Sequence, residues 1–359
     1  MNEQQRGTVD PGFWRGKQVF LTGHTGFKGA WLSLWLQSMG ADVTGLSNGI
    51  PTEPSLYELA NVAEGMAAIE GDVRDAEAVT SAVEVARPEI VIHMAAQSLV
   101  RPSYDAPAET YDVNVMGTVN VLDAVRRAAP QARAVVNITS DKCYENRELD
   151  RGYTEDEPMG GHDPYSSSKG CSELVTSAFR RSFFSDPDGT RLASARAGNV
   201  IGGGDWAQDR LLPDLMRAAL AGETVRIRNP NSTRPWQHVL SPLSGYLVLC
   251  QALWESADHA DGWNFGPDDD DARPVGWIVE KIAELWPGEL LSAIDDGLHP
   301  HEARYLKLDS TRARERLGWQ PAFGLERALG ATVEWYGQLK EGADMRAVTL
   351  GQIDSLLRP

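Results

Sequence analysis

Short apolar runs with little polar alternation recur along the chain up to about residue 200: KQVFLTG, DVTGLS, AAIEGD at 67–72, EIVIHMA at 89–95, ARAVVNITS at 132–140 and RLASARAGNVIG at 191–202. A strand that is apolar on both faces belongs in a sheet covered on both sides, the environment of parallel strands. Between the runs lie helix-length segments such as AWLSLWLQSMGA, AEAVTSAVEVA and ETYDVNVMGTVNVLDAVRRA. Strands separated by single helices predict an α/β fold with a doubly wound parallel sheet. After Gly202 the rhythm loosens into GGGDW, a helix at LLPDLMRAALAG, the segment RNPNSTRPWQHVL and a second helix. The acid run DDDD at 268–271 reads as a solvated loop. No internal repeat or low-complexity linker intervenes, so the last third is expected as a smaller α/β lobe packed on the first part.

Composition removes several classes of partner. The 359 residues carry 34 Lys plus Arg against 51 Asp plus Glu, a formal charge of −17, with 42% hydrophobic residues. Mean hydropathy of −0.34 fits a soluble globular chain. The negative charge repels phosphate backbones and anionic lipid, so neither nucleic acid nor membrane is an expected partner. The start MNEQQRGTVDPGFW has no apolar signal core, and no apolar run approaches the ~18 residues of a membrane span. A cytoplasmic protein with a flexible start over 1–14 is expected. Cys143, Cys171 and Cys250 lie far apart and form no metal-ligand spacing, which fits a reducing compartment and no metal site.

TGHTGFKG places Gly23, Gly26 and Gly29 between the first strand and the first helix. This GxxGxxG spacing suits a dinucleotide: Gly23 permits the tight turn, Gly26 lets the backbone approach a pyrophosphate, and Gly29 allows close packing of a helix whose N-terminus offers free N–H groups. His24, Thr25, Phe27 and Lys28 complete the cofactor loop, and Val73, Ala95 and Ala96 join the cofactor set. Asp72 in EGDVRD is placed to meet the adenine or to cap the next helix. The second strand ends in GLSNGIP without an acid for the ribose 2′-hydroxyl. No Arg or Lys lies between Lys28 and Arg74 to hold a 2′-phosphate, so NAD is favoured over NADP. Residues 1–190 therefore read as a NAD-binding Rossmann domain. Residues 191–359 read mostly as the substrate-binding lobe, with one returning Rossmann strand near 191–202.

Tyr165 and Lys169 in PYSSSKG stand four apart and share one face of a helix. A phenol of pKa ~10 is a poor base at neutral pH until neighbouring positive charge favours its phenolate. With the glycine turn upstream and Ser140 at a strand end 25 residues before Tyr165, the chain resembles the extended short-chain dehydrogenase/reductase superfamily, in its NAD-dependent epimerase/dehydratase family. The stretches LTGHTGFKGAWLSLWL, HMAAQSLVRPSYDAPAETYDVNVMGT, TSDKCYEN, RAGNVIGGGDWAQDRLLPD and RPWQHVL are similar in particular to its branch of CDP-glucose 4,6-dehydratases. Nucleotide-sugar dehydratases of this superfamily commonly follow the strand-end hydroxyl with Asp-Glu. Here Asp141-Lys142 stands there, as the CDP-glucose branch implies.

The resemblance implies a lyase with catalytic NAD, a nucleotide-sugar substrate such as CDP-glucose, and a homodimer or homotetramer. It assigns Tyr165, Ser140 and Lys169 to oxidation at C4, and Asp141 and Lys142 to loss of water across C5 and C6. Adjacent Asp and Lys in water would hold their protons the other way round, so proton placement within this coupled pair stays open. Arg101, Asn199, Arg234 and His301 are implied substrate contacts, with Glu302 beside His301. Arg196 serves either the diphosphate or a structural ion pair. Trp206 and Trp236 could stack on a base or simply pack. His93 reads as a wall residue, and Asn114 either braces the active-site helix or bonds its own. A dehydratase for another nucleotide, or a 4-epimerase, shares most of these residues, but an epimerase has no use for Asp141-Lys142. A non-enzymatic NAD-binding regulator would not need Tyr165 with Lys169.

Overall fold

The unbroken apolar runs become the interior of one sheet. The computed structural model describes residues 7–295, 297 and 305–357. Helices join strands Gln18–Thr22 (β1), Asp42–Ser47 (β2), Ala67–Glu70 (β3), Ile90–His93 (β4), Ala134–Ile138 (β5) and Arg191–Arg196 (β6). Short strands Val200–Ile201 (β7), Val225–Ile227 (β8), Thr233–Pro235 (β9) and Gln237–His238 (β10) follow, and then Gly262–Asn264 (β11) returns to the main sheet. The order is β11-β6-β5-β4-β1-β2-β3, with every pair parallel. β4, β5 and β6 are buried at every position, as strands covered on both faces must be. The chain reverses its winding between β1 and β4, and the crevice at the carboxyl ends there is where such sheets take ligands.

One face is covered by helix Phe27–Ser38, whose Trp31, Leu32 and Trp35 enter a core that also contains Leu247 of helix Leu240–Glu255 and Trp335 of helix Leu325–Lys340. The other face packs Val79 and Val83 of helix Ala76–Ala86 with Val121 and Val125 of helix Gly117–Ala128. The first core runs without a break into the second lobe through Trp263 and Trp319. Helix Met345–Leu357 closes back on the first helix: Arg346 donates to Gln37 Oε1 at 3.0 Å and to the Asn61 carbonyl at 2.8 Å. No described helix is long and apolar enough to cross a membrane.

Several sequence expectations change. The run 191–202 is two strands rather than one. Asn199 adopts a left-handed backbone (φ 49°), and β7 turns away from β6 to pair with β10. A second strand, β11, returns to the sheet beyond the one expected, paired on β6. The acid run is not uniformly solvated: Asp271 is 9% exposed, and its Oδ1 accepts the Leu325 N–H at 2.9 Å. A helix start leaves donors unsatisfied and carries partial positive charge, which draws this carboxylate inward. The start is also tied down within the described residues. Asp10 caps the turn Pro11–Trp14, and the buried Trp14 indole donates to Gln251 Oε1 at 3.0 Å.

Candidate functional site

The glycine turn has the geometry that bulkier residues would forbid. Gly23 has φ 78°, and a Cβ there would lie 2.8 Å from the Ala95 nitrogen. A Cβ on Gly29 would sit 2.0 Å from the Gly23 carbonyl oxygen, so helix Phe27–Ser38 approaches the turn closer than any side chain permits. Gly26 is its N-cap and offers no side-chain cap, which leaves first-turn N–H groups for an anion. His24 and Thr25 brace the turn: His24 Nδ1 and Ser47 Oγ are 3.0 Å apart, and Thr25 Oγ1 donates to the Gly49 carbonyl at 2.8 Å. Burial lowers His24 to about 4, so it stands neutral. Asp72 is paired with Arg74 at 2.6 Å and accepts from Asn48 at 2.7 Å, while Asp75 caps the next helix. Val73 is buried beside Gly117, and Ala96 is half-buried.

Tyr165 and Lys169 lie on helix Pro164–Phe183, which is opened by the cap Asp163 and by Pro164 at the first position. Ser140 lies two residues beyond β5 and caps the single 3-10 turn Asp141–Cys143 that follows it. One cavity of about 540 Å³ is lined by Ser140, Asp141, Lys142 and Tyr165 together with Phe27, Lys28, Arg101, Asn199, Arg234 and Trp236. Lys169 is buried on the same helix face as Tyr165, one turn further on. His301 and Glu302 lie outside the described residues.

Polar groups in the cavity are arranged around the carboxyl of Asp141. Ser140 Oγ donates to Asp141 Oδ1 at 2.9 Å, while Asp141 Oδ2 is buried with no hydrogen-bond partner among the described residues. A Cβ on Gly198 would lie 1.9 Å from that Oδ2, so the carboxyl is packed directly on backbone. Asp141 and Lys142 form no ion pair with each other among the described residues, which disposes of a simple salt-bridged pair at a loop start. Burial raises the Tyr165 phenol to about 12, and the facing Ser140 hydroxyl and the Arg210 charge pull against it. Burial lowers Lys169 to about 7, helped by the charge of Lys28. Lys28 is itself lowered to about 8, first by burial and then by Arg210.

The open readings divide cleanly. Arg196 is structural: it is 4% exposed and pairs with Glu173 at 2.8 Å. Trp206 packs edge-on against Tyr336, whereas Trp236 faces the cavity. His93 is a wall residue, with Nδ1 2.7 Å from Thr22 Oγ1, and burial lowers it to about 3. Asn114 sits in a π-turn, Asp112–Met116, and braces the neighbouring helix by donating to Ser168 Oγ at 2.8 Å. Such turns cluster at functional sites. Sequence reasoning missed Asp205, Asp209, Arg210 and Arg228, which also line the cavity. Asp209 bridges Arg101 at 3.1 Å and Arg228 at 3.2 Å, and Asp205 holds Arg210 at 3.2 Å. The signal for them was the alternation of charges in DWAQDR and VRIR.

The model of a family described as NAD dependent epimerase/dehydratase matches residues 19–260. A curated CDP-glucose 4,6-dehydratase of Salmonella typhimurium is 55% identical over 342 residues, 94% of this chain and 95% of that protein. A dTDP-glucose 4,6-dehydratase of Xanthomonas campestris pv. campestris is 27% identical, with 88% and 92% covered. Among solved structures, a double mutant of dTDP-glucose 4,6-dehydratase from Streptomyces venezuelae with NAD bound superposes with a TM-score of 0.75. That pair shares 21% identity over 91% of this chain and 99% of the other, a likeness that establishes the fold.

Proposed function

The chain belongs to the NAD dependent epimerase/dehydratase family, and from that premise we propose that it is a CDP-glucose 4,6-dehydratase, converting CDP-D-glucose to CDP-4-dehydro-6-deoxy-D-glucose and water. The observation that carries the reading is the Ser140-Asp141-Lys142 turn facing the same cavity as Tyr165, with one Asp141 oxygen buried and unpartnered. A 4-epimerase needs an oxidation site alone, whereas loss of water needs a second acid and base beside it. The base, cytosine rather than uracil or thymine, is supported by the 55% identity to the Salmonella enzyme.

The glycine turn fits NAD, since Gly26 caps helix Phe27–Ser38 without a side chain and leaves its first-turn N–H groups for a pyrophosphate, while Gly23 and Gly29 let that helix start close against the turn. Bound there, NAD would accept a hydride from C4 of the sugar and return it to C6, and its oxidised ring would bring positive charge to the site. Tyr165, held as a neutral phenol by burial, takes the O4 proton once that charge favours its phenolate, and Ser140 hydrogen-bonds the same oxygen. The resulting C4 ketone acidifies the C5 hydrogen. Lys142 removes that proton as the Asp141 carboxyl protonates the departing C6 oxygen, which leaves as water, and Lys142 gives the proton back to C5 when C6 is reduced. Arg234, Arg101 and Asn199 face the cavity and are read as holding the diphosphate and sugar, where the planar guanidinium fork suits phosphate oxygens.

We read the protein as cytoplasmic, in keeping with three unpaired cysteines. We read it also as a homodimer or homotetramer, which would cover the exposed Tyr111, Met116 and Leu174. Light scattering of the purified protein tests the latter. The activity is tested by incubation with CDP-, UDP-, GDP- and dTDP-hexoses, with CDP-glucose expected to give a product lighter by one water. No water loss from any of them overturns the dehydratase, and loss from another nucleotide alone overturns the base assignment. Lys142→Met is expected to abolish water loss, and unchanged turnover would remove Lys142 from its role.

A further inference from the structure

Glu173 follows Lys169 by four residues and Tyr165 by eight, so the three share one face of helix Pro164–Phe183. It is 4% exposed, and both carboxylate oxygens are engaged. Oε1 accepts from Thr139 Oγ1 at 2.5 Å, and Oε2 accepts from Ser194 Oγ at 2.6 Å and Arg196 Nη2 at 2.8 Å. Arg196 then donates through Nη1 to the Tyr144 hydroxyl at 2.5 Å, and Tyr144 donates to Asn264 Oδ1 at 2.8 Å. Thr139 immediately precedes Ser140, and Tyr144 stands two residues after Lys142. One buried ion pair therefore grips both ends of the segment that carries Ser140, Asp141 and Lys142.

The middle of that segment is pressed between two backbones. A Cβ on Gly170, one residue after Lys169, would lie 3.1 Å from the Cys143 carbonyl oxygen. A Cβ on Gly198 would likewise meet Asp141. A buried ion pair is weak evidence for stability, because desolvation offsets most of its attraction. Here its hydrogen bonds lead to the two ends of one turn, which is what a device for holding geometry requires.

We propose that Glu173 is a positioning residue for the elimination half of the reaction. Through Thr139 at one end and Arg196 with Tyr144 at the other, it fixes the Asp141 carboxyl and the Lys142 amine relative to Tyr165 and Lys169. This inference rests on the dehydratase reading and assigns work within it. Misplacing a reacting group by about 1 Å is enough to lose about a hundredfold in rate, so small losses of grip are visible in turnover.

The experiment compares wild type with Tyr144→Phe, Thr139→Val and Glu173→Gln, each checked for chemical stability and NAD affinity. Tyr144→Phe removes one hydroxyl and leaves the Glu173–Arg196 pair intact, so it stays informative even where Glu173→Gln fails to fold. CDP-glucose turnover is followed by water loss, and sugar oxidation is followed separately by the near-ultraviolet absorbance of the reduced cofactor. Tyr144→Phe is expected to lower kcat for water loss about tenfold or more with KM little changed, and reduced cofactor should accumulate because elimination lags oxidation. Activity falling only in step with the folded fraction overturns the proposal, as does equal slowing of both halves without accumulation. Absence of water loss in the wild type would instead bring down the dehydratase reading on which the proposal stands.

Discussion

Asp141 is held by a contact that leaves no room for a methyl group. With the Gly198 Cβ position 1.9 Å from its Oδ2, Gly198→Ala is expected to push the carboxyl aside and lower kcat about a hundredfold, with NAD affinity and circular dichroism retained. Turnover within twofold of wild type would show that the carboxyl tolerates displacement. At this scale the sequence named residues that the fold gathers around one cavity. Tyr165 was singled out by its helical spacing to Lys169, and Ser140, Asp141 and Lys142 by their resemblance to a family pattern; the structure brings Ser140, Asp141, Lys142 and Tyr165 to one cavity. The side chains that were not legible sit in irregular segments. Asp205, Asp209 and Arg210 follow Gly204, and whether such a charge turns to solvent or to the cavity depends on contacts made by distant residues. Glu173 was not singled out from the sequence, because only its partners Thr139 and Arg196, 34 and 23 positions away, reveal what it holds.

Elements were predicted well where an apolar run is unbroken and poorly where the chain bends. The six strands from Gln18 to Arg196 fall within the apolar runs, whereas the division at Ala197–Asn199 is carried by a left-handed Asn that apolar patterning does not report. β11 escaped notice because three residues are too few to show a pattern. The acid run shows how one residue of four acquires a separate task. Asp271→Ala should lower stability by about 1 kcal/mol, the usual loss for removing a helix-start acceptor. Asp270→Ala at an exposed neighbour should stay within about 0.5 kcal/mol. Urea unfolding of the two variants checks this, and equal effects would return the whole run to a solvated loop.

Across the whole molecule, burial of ionisable groups sets how stability follows pH. His93 and His238 are both lowered to about 3 by burial, against an ordinary value of 6.5. Between those values the unfolded chain binds protons that the folded one refuses. Their contribution to stability is therefore full above pH 6.5 and is lost as pH falls. At pH 5 each histidine should account for about 2 kcal/mol, taking 1.36 kcal/mol per pH unit. His238 packs edge-on to Trp31 and Phe323, so His238→Phe should narrow the gap between urea midpoints at pH 7 and pH 5, and an unchanged gap would remove it as a source. Lys169 and Lys28, lowered to about 7 and 8, act with the same sign on the alkaline side: their contribution to stability rises as pH climbs from about 7 toward 10.5.

The clasp of Arg346 on Gln37 spans 309 positions, and it bears on how the protein is made. The glycine turn emerges from the ribosome early, yet the helix it opens gains its last packing partner only when residues 345–357 have been synthesised. A nascent chain is therefore expected to complete the packing of that helix only late in translation, with NAD captured afterwards. Chains stalled at residue 340 should be cleaved readily by protease near the first helix and retain little NAD, while chains extended past residue 357 should resist cleavage and retain it.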